Sequence, residues 1–125
     1  MILDTCALLW LAEGGRHFSR PAFKEIQSAS ELCVCVISIF EVALKTNLGK
    51  LQLPAPVSKW FGTVVANHGL IVLDLDSTTC IRAAGLPMIH GDPCDRFIIA
   101  LAKERGLRVV TSDERFEAYG VQTLI

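Results

Sequence analysis

Five short runs of apolar, often β-branched residues recur along the chain, separated by segments with helical periodicity. Each run is nearly continuous rather than alternating between apolar and polar residues, which is typical of strands covered on both faces. Parallel strands have such cover, because the helices that connect them pack on both faces of the sheet. The predicted strands cover residues 1–3, 32–37, 70–75, 107–111 and 121–125.

The segments between these runs predict helices, and a short helical turn is expected after Asp113. The predicted helices cover residues 5–13, 20–29, 39–48, 57–67, 78–86 and 93–105. Strands that alternate with helices predict an α/β fold, here a three-layer α/β/α domain around a central, mainly parallel sheet. With 125 residues and no linker-like tract, we predict a single domain over 1–125.

Composition excludes several classes of protein. The formal net charge is -1, so no global basic field indicates nucleic-acid binding. No apolar run approaches the roughly 20 residues that span a bilayer, so no membrane association is expected. The five cysteines form no C-x-x-C pair and lie mostly among aliphatic residues. They are expected to be buried small hydrophobes in a reducing compartment, which predicts a cytoplasmic protein without structural zinc.

Acidic residues recur where predicted strands give way to helices, namely at Asp4, Glu41, Asp92, Asp95 and Asp113. In open α/β sheets such junctions line the ligand-binding edge. Each acid taken singly also has a structural explanation. Ser38 and Glu41 match a capping box, and Asp92 before Pro93 matches a helix N-cap. Asp4 and Asp113 can be N-caps or turn residues.

Asp95 is a second acid beside a cap that Asp92 already supplies. In a helix that begins at Pro93 it shares a face with Ile99 and Ala102, so its carboxylate is expected to turn toward the covered side. Several carboxylates in a partly dry pocket repel one another unless a cation neutralises them. Carboxylate oxygens suit Mg²⁺, with Mn²⁺ as an alternative, and such an ion suits phosphoryl chemistry.

Four separated segments, MILDTCALLWL, SIFEVALKTNLGKLQLP, HGDPCDRFIIALA and VVTSDERFEAYGV, resemble in order and spacing the PIN-domain ribonucleases of the VapC toxin family. The resemblance covers nearly the whole chain. It implies a PIN-like fold, Mg²⁺-dependent endoribonuclease activity on RNA and inhibition by a cognate antitoxin protein, and it favours a homodimer. It also implies that the catalytic and metal-binding acids are Asp4, Glu41, Asp95 and Asp113.

Other residues are candidates for supporting roles. Asp92 is interpreted as a helix cap that also supports the site from outside, and Thr5 as either a hydrogen-bond partner of a metal-bound water or a cap of the first helix. Lys45 either contacts the substrate or forms an i, i+4 pair with Glu41. Further candidates for RNA contacts are Arg16, Lys24, Lys50 and Arg96. Apolar side chains that either pack in the core or form a docking surface are Trp10, Trp60 and Phe61.

Three alternatives compete with a metal-dependent nuclease. A metal-free ribonuclease needs paired histidines, but His17, His68 and His90 lie in separate loop-like contexts. A phosphatase with an aspartyl nucleophile at Asp4 is expected to have a second aspartate two residues later, where this chain has Cys6. A catalytically silent PIN-like module that only binds RNA or protein has no reason to retain the full set of acids.

Overall fold

A computed structural model describes all 125 residues and contains every predicted strand and helix. The strands are β1 (Ile2–Leu3), β2 (Cys33–Cys35), β3 (Ile71–Leu73), β4 (Val109–Val110) and β5 (Thr123–Leu124). The helices are α1 (Thr5–Ala12), α2 (Arg20–Ser28), α3 (Val36–Asn47), α4 (Val57–His68), α5 (Ser77–Gly85) and α6 (Pro93–Arg105). A short 3₁₀ helix, Glu114–Tyr119, follows β4 at the position predicted for a helical turn.

The five strands form one sheet in the order β3-β2-β1-β4-β5, and all neighbouring pairs are parallel. The strand β1 lies at the centre, where Ile2 pairs with Cys33 on one side and with Val109 on the other. The chain first adds strands on one side of β1 and then crosses to the other side. This reversal creates a crevice at the carboxyl end of β1, which is where open α/β sheets bind ligands.

Two buried clusters cover the two faces of the sheet. Leu3, Val34 and Val110 point into a cluster formed with side chains of α1, α2, α3 and α4. Ile2 and Val109 point to the opposite face, where α6 supplies most of the helical side chains. Successive strand residues therefore alternate between two cores, as a strand with two buried faces requires. This arrangement confirms the predicted three-layer α/β/α fold.

The boundary between β2 and α3 differs from the prediction. The second strand ends at Cys35 rather than at residue 37, and α3 begins at once at Val36 with Cys35 as its N-cap residue. Ser38 therefore lies inside the helix, buried, and the predicted capping box with Glu41 is wrong. Continuous apolar residues across the junction hid the change, since a buried strand and a buried helical turn have the same composition.

The three aromatic residues for which the sequence predicts either a core or a docking role lie in or against the core. Trp60 is buried, whereas Trp10 and Phe61 are partly buried and pack against the same cluster. An exposed apolar stripe runs along α3 and is formed by Phe40, Leu44 and the C-cap residue Leu48; we call it the α3 stripe. None of the helices is both long and apolar enough to cross a lipid bilayer.

Candidate active site

Asp4 follows the central strand and serves as the N-cap of α1. Its Oδ1 accepts a hydrogen bond of 2.7 Å from the backbone N–H of Ala7. The residue is only 6% exposed, and this burial raises the pKa of its carboxyl group above the usual value despite hydrogen bonds from Thr111 and Ala7. The negative charges of Glu41 and Asp113 raise it further, so these acids lie near enough to interact.

Glu41 lies on the second turn of α3 and points toward Asp4 and Asp95, whose carboxyl pKa values its charge raises. One of its oxygens, Oε2, lies 3.0 Å from Nζ of Lys45. The predicted i, i+4 pair is therefore present. The other oxygen, Oε1, is buried and has no hydrogen-bond partner. A buried carboxylate oxygen without a donor is costly, which marks this atom as a candidate ligand for a cation.

The start of α6 contains two acids with different roles. Asp92 is the N-cap, as predicted, and its Oδ1 accepts a hydrogen bond of 2.9 Å from the backbone N–H of Cys94. Asp95 lies one turn before Ile99, which is fully buried, so its side chain turns toward the covered side as expected. Burial raises the pKa of the Asp95 carboxyl group to about 6, and the charge of Asp92 adds to the shift.

Asp113 follows β4 and is the N-cap of the 3₁₀ helix. Its Oδ2 lies 2.7 Å from an outer guanidinium nitrogen of Arg115, and Nε of Arg115 donates to Oδ1 at 3.0 Å. The hydrogen bonds from Arg115 lower the pKa of Asp113 to about 2. This acid therefore stays ionised where Asp4 and Asp95 resist ionisation.

His90 is a buried member of the site that the sequence did not identify. Its Nε2 lies 2.7 Å from Oδ2 of Asp95 and 3.1 Å from Oδ2 of Asp113. One ligand atom from each of these three residues lies within 4.8 Å of the others. Asp4 and Glu41 lie outside that group but within electrostatic reach of Asp95. The sequence indicated only a loop between Pro87 and Asp92, and no spacing signalled a buried ring.

The guanidinium group of Arg96 is not exposed to RNA, so the prediction that this residue contacts the substrate is wrong. The side chain is buried and donates to four backbone carbonyl groups, those of Ala84, Leu86, Pro87 and His90, at 2.7 to 3.2 Å. The hydroxyl of Tyr119 donates to the Pro87 carbonyl at 2.7 Å. Together they fasten the 86–91 loop, which contains His90.

A substitution that reduces the number of hydrogen-bond donors at residue 96 is expected to destabilise this loop. Arg96→Lys retains the charge but replaces a rigid fork with one ammonium group that cannot reach all four carbonyls. We expect the free energy of unfolding in urea to fall by about 1–2 kcal/mol. Arg105→Lys is the matched control, because Arg105 is an exposed arginine on the last turn of the same helix. An equal effect of both substitutions would show that the four contacts are unimportant.

Thr5 does not cap α1, because Asp4 occupies that position. Its hydroxyl is buried and donates to Oγ of Ser38 at 3.0 Å, which ties the start of α1 to the first turn of α3. This bond links the elements that contain Asp4 and Glu41. Arg16, Lys24 and Lys50 are exposed and therefore accessible to a polyanion.

Asp4, Glu41, Asp92, Asp95 and Asp113 thus meet at the carboxyl edge of the sheet, where their charges act on one another. Burial raises the pKa values of Asp4 and Asp95, and the neighbouring acids raise them further. The nearby cations Lys45 and Arg115 pair with Glu41 and Asp113 instead. Perturbed carboxylates that converge in a crevice are typical of a functional site. The carboxylate oxygens of these acids, among them the partnerless Oε1 of Glu41, are the ligands that a hard divalent cation prefers.

Comparisons with known proteins agree with this geometry. The family model described as the PIN domain matches residues 1–122. Ribonuclease VapC22 of Mycobacterium tuberculosis is 33% identical over 120 residues, which cover 95% of this chain and 91% of that protein.

Solved structures of similar fold include DNA-bound VapBC from Salmonella typhimurium, with a TM-score of 0.66 and 25% identity over 98% of this chain and 94% of that chain. A toxin-antitoxin complex from Klebsiella pneumoniae has a TM-score of 0.67 at 16% identity, over 99% of this chain and 95% of that chain, and supports the fold alone. The matched family model and the identity to VapC22 extend over nearly the whole chain. The chain therefore belongs to the PIN-domain family, in its VapC branch.

Proposed function

We propose that this protein is a Mg²⁺-dependent endoribonuclease that acts as the toxin of a toxin–antitoxin pair. The observation that carries the proposal is the meeting of Asp4, Glu41, Asp95 and Asp113 at one edge of the sheet, with two raised pKa values and one buried oxygen without a partner. The relative Ribonuclease VapC22 is named for cleavage of RNA, which supports RNA as the substrate. Mn²⁺ is expected to substitute for Mg²⁺, because both ions accept carboxylate oxygens.

Asp4, Glu41 and Asp95 are the residues that we expect to hold the ion, with Asp113 completing the acidic wall. When bound, a divalent ion lowers the pKa of a water molecule and stabilises charge on phosphate oxygens. The carboxylates would orient the attacking water and accept its proton. Attack in line with the leaving 3′ oxygen, which takes a proton from solvent, would yield a 5′-phosphate and a 3′-hydroxyl. Asp92 adds negative charge beside Asp95, which favours cation binding there.

Lys45 and Arg115 already occupy the rim of the site, paired with Glu41 and Asp113. Both side chains are partly exposed, so they can turn from their carboxylates toward an RNA phosphate once a cation has neutralised those acids. This exchange places positive charge beside an acidic crevice that otherwise repels RNA.

Chelation tests the metal dependence directly. Purified protein treated with excess EDTA is expected to lose cleavage of total RNA, and added Mg²⁺ or Mn²⁺ is expected to restore it. Cleavage sites are mapped by sequencing of 5′-phosphate ends with and without Mg²⁺, and the same mapping of Asp95→Asn identifies contaminating nucleases. Cleavage that persists in EDTA would contradict the proposal and favour histidine chemistry instead.

Regulation by a cognate antitoxin protein is the second part of the proposal. Membership in the VapC branch supports it, and the structural relatives include VapBC from Salmonella typhimurium, which is 25% identical. A partner that inhibits the nuclease is expected to cover the acidic crevice and shield its charges. Co-expression with a cognate antitoxin is expected to give a stable complex in which RNA cleavage is suppressed.

We also propose that the protein forms a homodimer through the α3 stripe. Phe40 and Leu48 are 58% and 59% exposed, and with Leu44 they form an i, i+4, i+8 row on one face of α3. Such a row on a soluble helix is typical of a contact surface. Leu44→Glu is expected to convert a dimer into a monomer in light-scattering measurements of mass. Ile125→Glu, which alters an exposed apolar residue at the end of the chain, is expected to leave the mass unchanged.

A further inference from the structure

His90 joins two segments of the site that are distant in sequence. The ring is 2% exposed, and its Nε2 lies between Oδ2 of Asp95 at 2.7 Å and Oδ2 of Asp113 at 3.1 Å. Asp95 belongs to the first turn of α6, whereas Asp113 belongs to the loop after β4. A single buried side chain thus contacts two acids that belong to separate elements, and it can fix the distance between them.

The orientation of the ring is fixed by contacts on several sides. The backbone N–H of Asp92 donates to Nδ1 at 3.2 Å, and the backbone N–H of His90 donates to the Tyr119 hydroxyl at 2.7 Å. Arg96 donates to the His90 carbonyl at 3.2 Å, and Phe116 packs edge-on with its ring centre 5.9 Å away. Because backbone and ring are both held, Nε2 has a defined position.

These contacts also determine which ring nitrogen has the proton. Nδ1 accepts a hydrogen bond from Asp92, so the neutral ring has its proton on Nε2. If Nε2 bound a metal, it would use its lone pair, and the proton of the neutral ring would have to be on Nδ1. The Nδ1–H group would then face the backbone N–H of Asp92, which is unfavourable because both are donors. The ring is therefore a donor toward the acids. The contacts of Nε2 with Asp95 and Asp113 lack the geometry of a good hydrogen bond. The Nε2–H group therefore attracts the two carboxylates through its dipole.

We propose that His90 is a positioning residue that holds Asp95 and Asp113 at a fixed separation for the cation, without ligating it. The inference rests on the proposed metal-dependent function. The contact of the ring with Asp95 is made to Oδ2, at 2.7 Å, so the other carboxylate oxygen, Oδ1, is the one that we expect to face an ion. Loss of a group that orients the ligands of a metal typically lowers the metal affinity by about 10- to 100-fold. The loop contacts of Arg96 and Tyr119 then serve the site by holding His90.

The test measures binding of Mg²⁺ and of Mn²⁺ to the metal-free full chain by isothermal titration calorimetry. His90→Phe retains a buried ring but loses the donor, and we expect both affinities to fall by about 10- to 100-fold, and equally. His90→Gln, whose amide still donates, is expected to recover part of this loss. His68→Phe alters an exposed histidine at the end of α4 and is expected to leave both affinities unchanged.

The outcomes separate the inference from the proposed function. Unchanged affinities in His90→Phe, with wild-type protein that binds both ions, would overturn the inference alone. A larger loss for Mn²⁺ than for Mg²⁺ would also overturn it, because imidazole prefers transition metals and the ring would then be a ligand. If the wild type binds neither ion, both proposals fail.

Two further measurements keep the test independent of folding. Long-range ¹H–¹⁵N NMR correlations are expected to show His90 as the Nε2–H form in the metal-free protein, and an Nδ1–H form overturns the inference. Thermal unfolding identifies whether His90→Phe is folded. If His90→Phe does not fold, the metal affinity of His90→Gln tests the inference. The glutamine amide can still donate, so an affinity below one-thousandth of that of the wild type would contradict the proposed donor role.

Discussion

Asp4→Asn is expected to lower the rate of RNA cleavage by about 100- to 1000-fold while the protein remains folded. The amide has almost the same shape as the carboxylate but lacks the charge that a divalent cation requires. The fold is expected to survive because asparagine is as good an N-cap residue as aspartate, so the bond to the Ala7 N–H is retained. Initial rates on a defined RNA at saturating Mg²⁺ measure the effect, and circular dichroism checks the fold.

Asp76→Asn is the matched control for this substitution. Asp76 is also the N-cap of a helix, α5, and accepts a hydrogen bond of 2.8 Å from the Thr79 N–H. It is exposed, and its pKa responds to Thr79 and to arginines rather than to the acids of the site. Equal losses of cleavage in both variants would mean that Asp4 acts only through helix capping.

Asp95→Asn is expected to have opposite effects on activity and stability. Cleavage should fall by about 100-fold or more, because a proposed metal ligand is lost. The metal-free protein, however, should gain about 1–3 kcal/mol in free energy of unfolding at about pH 7. The reason is that burial and the charge of Asp92 raise the pKa of the Asp95 carboxyl group to about 6, so ionisation at neutral pH costs stability in the native state.

The pH dependence of this gain follows from the direction of the shift. The native state holds the Asp95 proton more tightly than the unfolded chain, whose pKa is near 3.8. Stability from the protonated form is therefore complete below about pH 4 and is lost as the pH rises through about 6. Urea unfolding in EDTA should show equal stability of the two proteins at low pH, divergence from about pH 4 and a constant difference above about pH 6.

Asp76→Asn again provides the contrast, because the pKa of Asp76 is lowered by its hydrogen bonds with Thr79. A lowered pKa stabilises the native state above the unfolded value, so neutralising Asp76 should not stabilise the protein at about pH 7. If Asp95→Asn is less stable than the wild type in EDTA at every pH, the carboxylate of Asp95 is well satisfied without a cation, contrary to our interpretation.

Much of the architecture was predictable because its signals are local. Continuous apolar runs and helical periodicity predicted all five strands and six helices. The end of the first apolar run also predicted that Asp4 lies between β1 and α1. The N-cap role of Asp92 followed from Asp-Pro, and the inward turn of Asp95 from helical spacing. Where two buried elements meet without a polar break, as at Cys35 and Val36, composition gave no boundary and the predicted capping box failed.

The sequence by itself determined the elements, the parallel sheet and the acids at the strand ends, because hydrophobic periodicity and capping act over a few residues. Only the tertiary structure decided that β4 lies beside β1, which brings Asp113 to Asp4. It also decided that Arg96 binds four carbonyls and that His90 lies between two acids. These contacts involve the 86–91 loop, whose sequence has no periodicity that could predict its conformation. They form only when the surrounding helices and strands have packed, so no local sequence pattern indicates them.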